Sequence, residues 1–216
     1  MTRLAVFDCD GTLIDGQAAV CEAMRTGFAT VGLPVPPDHD IRRIVGLSLP
    51  VAIRGLAPDA APELVSQAVE AYRAAFFAMR QEGRVEEPLY DGIRELLEAL
   101  RGNGWDLAVA TGKSQRGADR ALTTHGIADL FVSVQTADHH PSKPDPAMLQ
   151  AAMDSVGAAP DHTVMIGDTA YDMAMARSAG VRAIGVGWGY HAPEELYAGG
   201  ADEVADDPDH LEELLR

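Results

Sequence analysis

Cysteine is scarce in this chain: two among 216 residues, Cys9 and Cys21. They form neither a disulfide framework nor a metal-type spacing, which excludes a small stapled scaffold and a zinc module. Basic residues are also few, with 17 Lys and Arg against 33 Asp and Glu and a net charge of -16. A protein that grips phosphate backbones carries the opposite sign, so nucleic acid is excluded as a main partner. The acidic residues form no long block and serve solubility. Any anionic substrate has to be drawn in locally, against the general field. No apolar run is long enough to span a bilayer, and no basic leader with an apolar core opens the sequence. The expectation is a soluble cytoplasmic protein with no membrane partner. Internal repeats and low-complexity segments are absent too.

What is present is a chain 47% hydrophobic, of a length that suits one good-sized domain or a domain with an insertion. Leu4-Ala5-Val6-Phe7 is a short apolar run, the mark of a buried parallel strand. It breaks into Asp8-Cys9-Asp10-Gly11-Thr12. Unpaired carboxylates at the lip of a core are costly, so a metal, a cation or a reacting group should sit there. Gly11 permits a tight turn and close backbone approach to a ligand. Taken alone, Asp followed by Gly would read as a turn.

Three later stretches change that reading. Leu107 to Ala110 is a second buried run, ending on Thr111-Gly112. The loop after the third strand, Phe131 to Val134, holds Lys143 between Pro141 and Pro144. Thr163 to Ile166 is a fourth strand, ending on Gly167-Asp168 with Asp172 beyond. Helical spacing separates these strands, a fifth strand covers Val181 to Val186, and Glu203-Val204 reads as a short edge strand. Repeated βα units with right-handed crossovers imply an α/β fold: a doubly wound, mostly parallel sheet covered on both faces. No strand signal appears between Asp15 and Glu87. Asp38 is placed to cap one of the helices there, and Pro50 to open another. The expected division is an α/β core over 1–14 and 86–216, with an inserted helical cap over 15–85.

In open α/β sheets, ligands bind outside the carboxyl ends of the strands. Asp8, Asp10, Thr111, Lys143, Asp168 and Asp172 all belong there. Asp8, Asp168 and Asp172 bring three negative charges; one Mg²⁺ and Lys143 bring the sum to zero. A centre of that kind can accept a phosphate dianion. A carboxylate can attack phosphorus, and a second carboxyl two residues on can move the proton. Thr111, the Gly112 amide and Lys143 can donate to phosphoryl oxygens. Lys113 and Arg116, which open the next helix, read as ordinary surface. Cys9 reads as packing, because its acidic neighbours disfavour a thiolate. His139 and His140 read as solvent-facing.

The four stretches Asp8-Cys9-Asp10-Gly11-Thr12, Thr111-Gly112, Lys143-Pro144 and Gly167-Asp168 with Asp172 resemble the four motifs of the haloacid dehalogenase superfamily, in order and over essentially the whole chain. The arrangement is similar to phosphoglycolate phosphatases within it. The resemblance implies a phosphatase with Asp8 as nucleophile and Asp10 as general acid and base. Mg²⁺ would be held by Asp8, the Asp10 carbonyl and Asp168, with Asp172 in support. Thr111 and Lys143 would be catalytic and, with Gly11 and Gly112, would bind the phosphoryl group of a small phosphorylated substrate. Asp10 argues against a true dehalogenase, which lacks the second acid. Mutases of the β-phosphoglucomutase kind carry an arginine just after the glycine bend of the cap, and Gly46-Leu47-Ser48-Leu49 has none. Arg42, Arg43 and Arg54 flank that bend and read as a solvated helix face. The alternatives are a phosphotransferase or mutase, a pyrophosphatase, and a non-catalytic phospho-aspartate receiver.

Overall fold

The computed structural model describes residues 2–216. Six strands form one parallel sheet: β1 (Arg3–Phe7), β2 (Trp105–Thr111), β3 (Phe131–Thr136), β4 (Thr163–Gly167), β5 (Arg182–Val186) and β6 (Glu203–Ala205), in the order β3-β2-β1-β4-β5-β6. Ten α-helices accompany it among the described residues. Four precede the second strand's own helix: α1 (Gln17–Thr30), α2 (Asp38–Arg43), α3 (Leu49–Leu56) and α4 (Pro62–Gln81). The other six are α5 (Ile93–Gly102), α6 (Gln115–Thr124), α7 (Ala147–Val156), α8 (Ala170–Ala179), α9 (Pro193–Gly199) and α10 (Pro208–Leu214). No helix among the described residues is long and apolar enough to cross a membrane.

The sheet is buried on both faces because its strands are apolar on both faces. Alternate residues of β1 divide between two cores. Ala5 and Phe7 pack with Leu107, Val109 and Ile166 under α5 and α10; Leu4 and Val6 pack with Ala108, Met165 and Ala183 under α7, α8 and α9. The strand order reverses direction at β1, whose neighbours are β2 and β4. That reversal opens a crevice at the carboxyl ends of β1 and β4.

The four early helices build a third cluster of their own, centred on Val20, Met24, Phe28, Ile41, Ile53, Val65 and Val69. Gly27 lies mid-helix in α1, where glycine costs about 1 kcal/mol against alanine. Its place is a close helix crossing: a Cβ there would sit 3.0 Å from the backbone nitrogen of Tyr72 in α4. The chain leaves the core and returns to it along one double linker. Asp15 N donates to Pro88 O at 2.9 Å and Tyr90 N to Leu13 O at 3.1 Å.

The expected helix at Asp38 is present, but its cap is different. Pro37 is the N-cap residue and Asp38 is already helical, its carboxylate paired with Arg25 instead of a backbone amide. Two single 3₁₀ turns, Ala128–Leu130 and Pro160–His162, also lie where no element was expected. They are too short to carry a hydrophobic period.

Candidate active site

Each strand end in the crevice contributes its expected side chain. Asp8 follows β1 and is fully buried. Its Oδ1 accepts from Cys9 N at 2.7 Å and lies 2.9 Å from Lys143 Nζ. Its Oδ2 is buried with no partner. Lys143 arrives from the loop after β3, through a cis Lys143–Pro144 peptide, and is itself 1% exposed. Its Nζ also donates to Asp172 Oδ1 at 2.6 Å. Asp172 sits in the first turn of α8, where its Oδ2 accepts from Thr169 N at 3.1 Å and Thr169 Oγ1 at 2.7 Å. An acid at that position caps the helix and meets its positive end.

Asp168 follows β4. Its Oδ1 accepts from Thr12 Oγ1 at 2.9 Å and its Oδ2 from Tyr190 N at 3.0 Å. Two glycines make room for it. A Cβ on Gly11, whose φ is +81°, would stand 2.1 Å from Asp168 Oδ2, and one on Gly189 would stand 2.1 Å from Asp168 Cβ. Gly11 is therefore required twice, for its left-handed backbone and for the missing side chain. The loop after β5 is pinned at a further point, where Trp188 Nε1 donates to Thr12 O at 3.1 Å.

One oxygen from each of Asp8, Asp168 and Asp172 falls within 4.8 Å of the others. Burial pushes the Asp8 carboxyl up to about 7, the pull of Lys143 and the push of Asp172 being smaller effects. Burial also raises Asp168 well above the ordinary carboxylate range, with Asp8 and then Asp172 adding to it. Fully ionised, the three carboxylates with one lysine would leave two negative charges in a closed space. A hard divalent cation with oxygen preference fits that donor set, and the unpartnered Asp8 Oδ2 marks where one would bind.

Thr111 ends β2, two residues past Val109, which pairs with Phe7. Its buried Oγ1 accepts from Lys113 N at 3.2 Å, which leaves its proton free to donate. Gly112 lies directly beneath the bend between α2 and α3. A Cβ there would meet Gly46 O at 2.5 Å and Leu47 O at 2.6 Å. The same bend is held by Ser48 N, which donates to Ser142 Oγ at 2.8 Å. His191 ties α2 to the core as well. Its Nδ1 accepts from Ala170 N at 3.2 Å, so its Nε2 carries the proton and donates to Arg43 O at 3.1 Å.

Asp10 takes a separate direction. Its Oδ1 lies 2.8 Å from Lys113 Nζ, and the same ammonium lies 2.9 Å from Glu87 Oε1. Lys113 is therefore not surface: its side chain is 11% exposed, whereas Arg116 is exposed. Burial alone would lower the Lys113 ammonium, but Asp10 and Glu87 outweigh it and raise it well above the ordinary lysine range. Cys9 is core packing, as expected, its thiol raised by burial and by Asp10. His139 is exposed and His140 meets Gln135 Oε1 at 2.8 Å. Arg43 pairs with Glu195, and Arg54 donates to Ala60 O at 2.5 Å. Ser142, Glu87, Trp188, Tyr190 and His191 carry no motif, so their places here follow only from the fold.

The fold and the site define an α/β protein with a buried carboxylate cluster at the switch point of its sheet. Comparison gives it a family: residues 5–186 match the model described as haloacid dehalogenase-like hydrolase. A probable phosphatase IndB from Dickeya dadantii is 37% identical over 211 residues, covering 95% of this chain and 90% of that one. A phosphoglycolate phosphatase from Vibrio vulnificus is 33% identical, with 94% and 92% covered. The crystal structure of a predicted phosphatase from Clostridium acetobutylicum superposes with a TM-score of 0.89 at 27% identity, over 100% of this chain and 98% of that one. The chain belongs to the haloacid dehalogenase-like hydrolase family. It is an enzyme, a hydrolase of the phosphatase type.

The tight seat of the bend on Gly112 yields a prediction. Gly112→Ala forces the carbonyls of Gly46 and Leu47 away and should lower kcat/KM by about 10-fold or more, because small misplacements at a reacting centre are costly. Steady-state kinetics beside a melting curve checks it. Unchanged kcat/KM at unchanged Tm would mean that the bend plays no part in the reaction.

Proposed function

We propose that the protein is a Mg²⁺-dependent phosphomonoesterase acting on a small, phosphoglycolate-like ester through an aspartyl phosphate on Asp8. The observation that carries this reading is the buried Asp8 carboxylate, with one oxygen held by Cys9 N and Lys143 and the other without a partner. Relatives named as phosphatases and phosphoglycolate phosphatases support the substrate class.

In this reading Asp8 attacks the phosphorus. The new Asp8–phosphorus bond forms as the ester oxygen–phosphorus bond breaks, and the carboxyl proton of Asp10 passes to the leaving oxygen. Water then attacks the phosphorus and gives a proton to the Asp10 carboxylate. The Asp8–phosphorus bond breaks, hydrogen phosphate leaves, and both carboxyls return to their starting states. Lys143, the Thr111 hydroxyl and the Gly112 amide bind the phosphoryl oxygens, with Gly11 keeping the turn beside them open. Asp8, Asp168 and the Asp10 backbone carbonyl would hold Mg²⁺, with Asp172 in support through its contact with Lys143. The ion supplies positive charge that lets a phosphate dianion enter a negative cluster. The helical block over 15–85 acts as a cap on the core formed by 1–14 and 86–216.

The test is phosphate release from a panel of small esters and pyrophosphate, with Mg²⁺ or with a chelator. Release should peak on a small ester and fall by about 100-fold or more on chelation. Saturating Mg²⁺ should also stabilise the fold, by about 2.7 kcal/mol at a hundred times its Kd. Undiminished release in chelator would overturn the metal assignment. A rearranged sugar phosphate in place of free phosphate would overturn the hydrolytic one.

A further inference from the structure

An ion-pair chain runs from Asp10 to the helical block. Asp10 Oδ1, Lys113 Nζ and Glu87 Oε1 are linked at 2.8 and 2.9 Å, and Glu87 Oε2 lies 2.7 Å from Arg80 NH2. Acidic and basic side chains alternate along it. Its three inner members are about nine-tenths buried: the side chains of Asp10, Lys113 and Glu87 are 11, 11 and 9% exposed. Burial would raise the Glu87 carboxyl, but Lys113 and Arg80 hold it below its ordinary value, so Glu87 stays charged between them.

The four residues come from four different places. Asp10 lies in the loop after β1 and Lys113 in the loop after β2. Glu87 lies on the return strand of the double linker, next to Pro88. Arg80 is in the last turn of α4, its guanidinium over the Phe76 ring at 5.2 Å. Glu87 is fixed from behind, since its own carbonyl meets His125 Nε2 at 2.6 Å. Gly16, at the outgoing strand of the linker, keeps the passage open; a Cβ there would stand 3.1 Å from Asp10 Oδ1. The contact with Lys113 engages Oδ1 of Asp10 and leaves Oδ2 outside the chain.

We infer that Lys113 is the positioning residue for Asp10, and that the Glu87–Arg80 link makes its grip depend on the seating of the helical block. Lys113 touches no reacting atom. It holds one carboxylate oxygen so that the other faces the ester. When α4 shifts at the linker, Glu87 moves with it and Lys113 loses one of its two anchors. The inference rests on the reading of Asp10 as the proton-transfer group.

Two esters separate positioning from a general loss of structure. An alkyl phosphate needs a proton on its leaving oxygen, whereas p-nitrophenyl phosphate releases a stable phenolate without one. Lys113→Met should cut kcat on the alkyl ester by about 100-fold or more, the range lost with a general acid, with KM changed less than about 3-fold. On p-nitrophenyl phosphate the same variant should give a burst of one nitrophenolate per enzyme and then slow turnover, because Asp8 is still phosphorylated while the water step lacks its base. Glu87→Gln keeps the shape of the buried carboxylate and serves if Lys113→Met does not fold; it should show the same burst at smaller loss. Arg80→Met should cost about 10-fold alone and little more on top of Lys113→Met, since both act through one chain.

Equal losses on both esters without a burst would overturn the positioning role. Additive losses for Arg80→Met and Lys113→Met would overturn the link to the helical block. A wild-type protein that hydrolyses neither ester would instead overturn the phosphatase reading beneath it.

Discussion

Asp8→Asn is expected to lower kcat by about 10⁴-fold or more on every ester, the scale of loss when a covalent nucleophile is removed. The amide has almost the shape of the carboxylate, so the two donors on Oδ1, Cys9 N and Lys143 Nζ, can keep their places. What disappears is the negative charge and the electron pair that would meet phosphorus. Stability should not fall with activity. Burial raises Asp8 to about 7 in the folded protein from an ordinary value of 3.8. A raised carboxyl binds its proton more tightly when folded, so its contribution to stability is lost as pH rises from about 4 through 7. Asparagine has no such loss. In chelator at pH 8 the variant should therefore melt no lower than the wild type. Near-normal turnover by Asp8→Asn would rule out the aspartyl phosphate. A wild-type chain that gains one phosphoryl group and keeps it would mean a receiver and not a hydrolase; the nearby Asp10 carboxyl argues against so stable an adduct.

The sheet and its strand-end residues were legible in the sequence for one reason. Each buried strand is a short apolar run, and each run stops on a polar residue that the core cannot hold. Leu4 to Phe7 stops at Asp8, Leu107 to Ala110 at Thr111, and Thr163 to Ile166 at Gly167-Asp168. Parallel strands joined by right-handed crossovers put all their carboxyl ends at one edge of the sheet, so the polar ends came to one side. The helical block was legible by its four-residue spacing and its lack of alternation. Lys113 was not. As a lone lysine beside a helix start it has the look of surface, and only the linker, which brings Glu87 and Asp10 to it across 26 and 103 residues of chain, buries it. Tyr190 and His191 were invisible for the same reason: their roles lie in backbone and ring contacts with Asp168, Ala170 and Arg43, which leave no pattern of spacing. Asp38 shows the limit of local rules. Its position suits an N-cap, yet Arg25 in α1 offers its carboxylate a charged partner in place of a backbone amide.

Lys143→Met should be the most damaging change to stability and activity together. Its ammonium is the one cation within 3 Å of the carboxylate cluster among the described residues, at 2.9 Å from Asp8 and 2.6 Å from Asp172. Methionine fills most of the volume but leaves three buried carboxylates facing each other. Breaking a buried pair by deleting one partner costs about 3–5 kcal/mol. The loss should be smaller with Mg²⁺ than in chelator, because an ion in the cluster offsets the same charge. Activity should not recover with it. Lys143 would supply positive charge where the phosphoryl oxygens gain negative charge, and such a donor is worth about 10²–10³ in kcat. Lys143→Arg separates the two roles. It restores the charge but needs room for a planar fork in a site with no exposure, and a fork does not replace a point charge there. Thermal melts with and without Mg²⁺, beside kcat for both variants, decide the matter. Stability regained by arginine without activity would make Lys143 a phosphoryl-binding group as well as a counter-ion. Activity regained in step with stability would reduce it to a counter-ion alone.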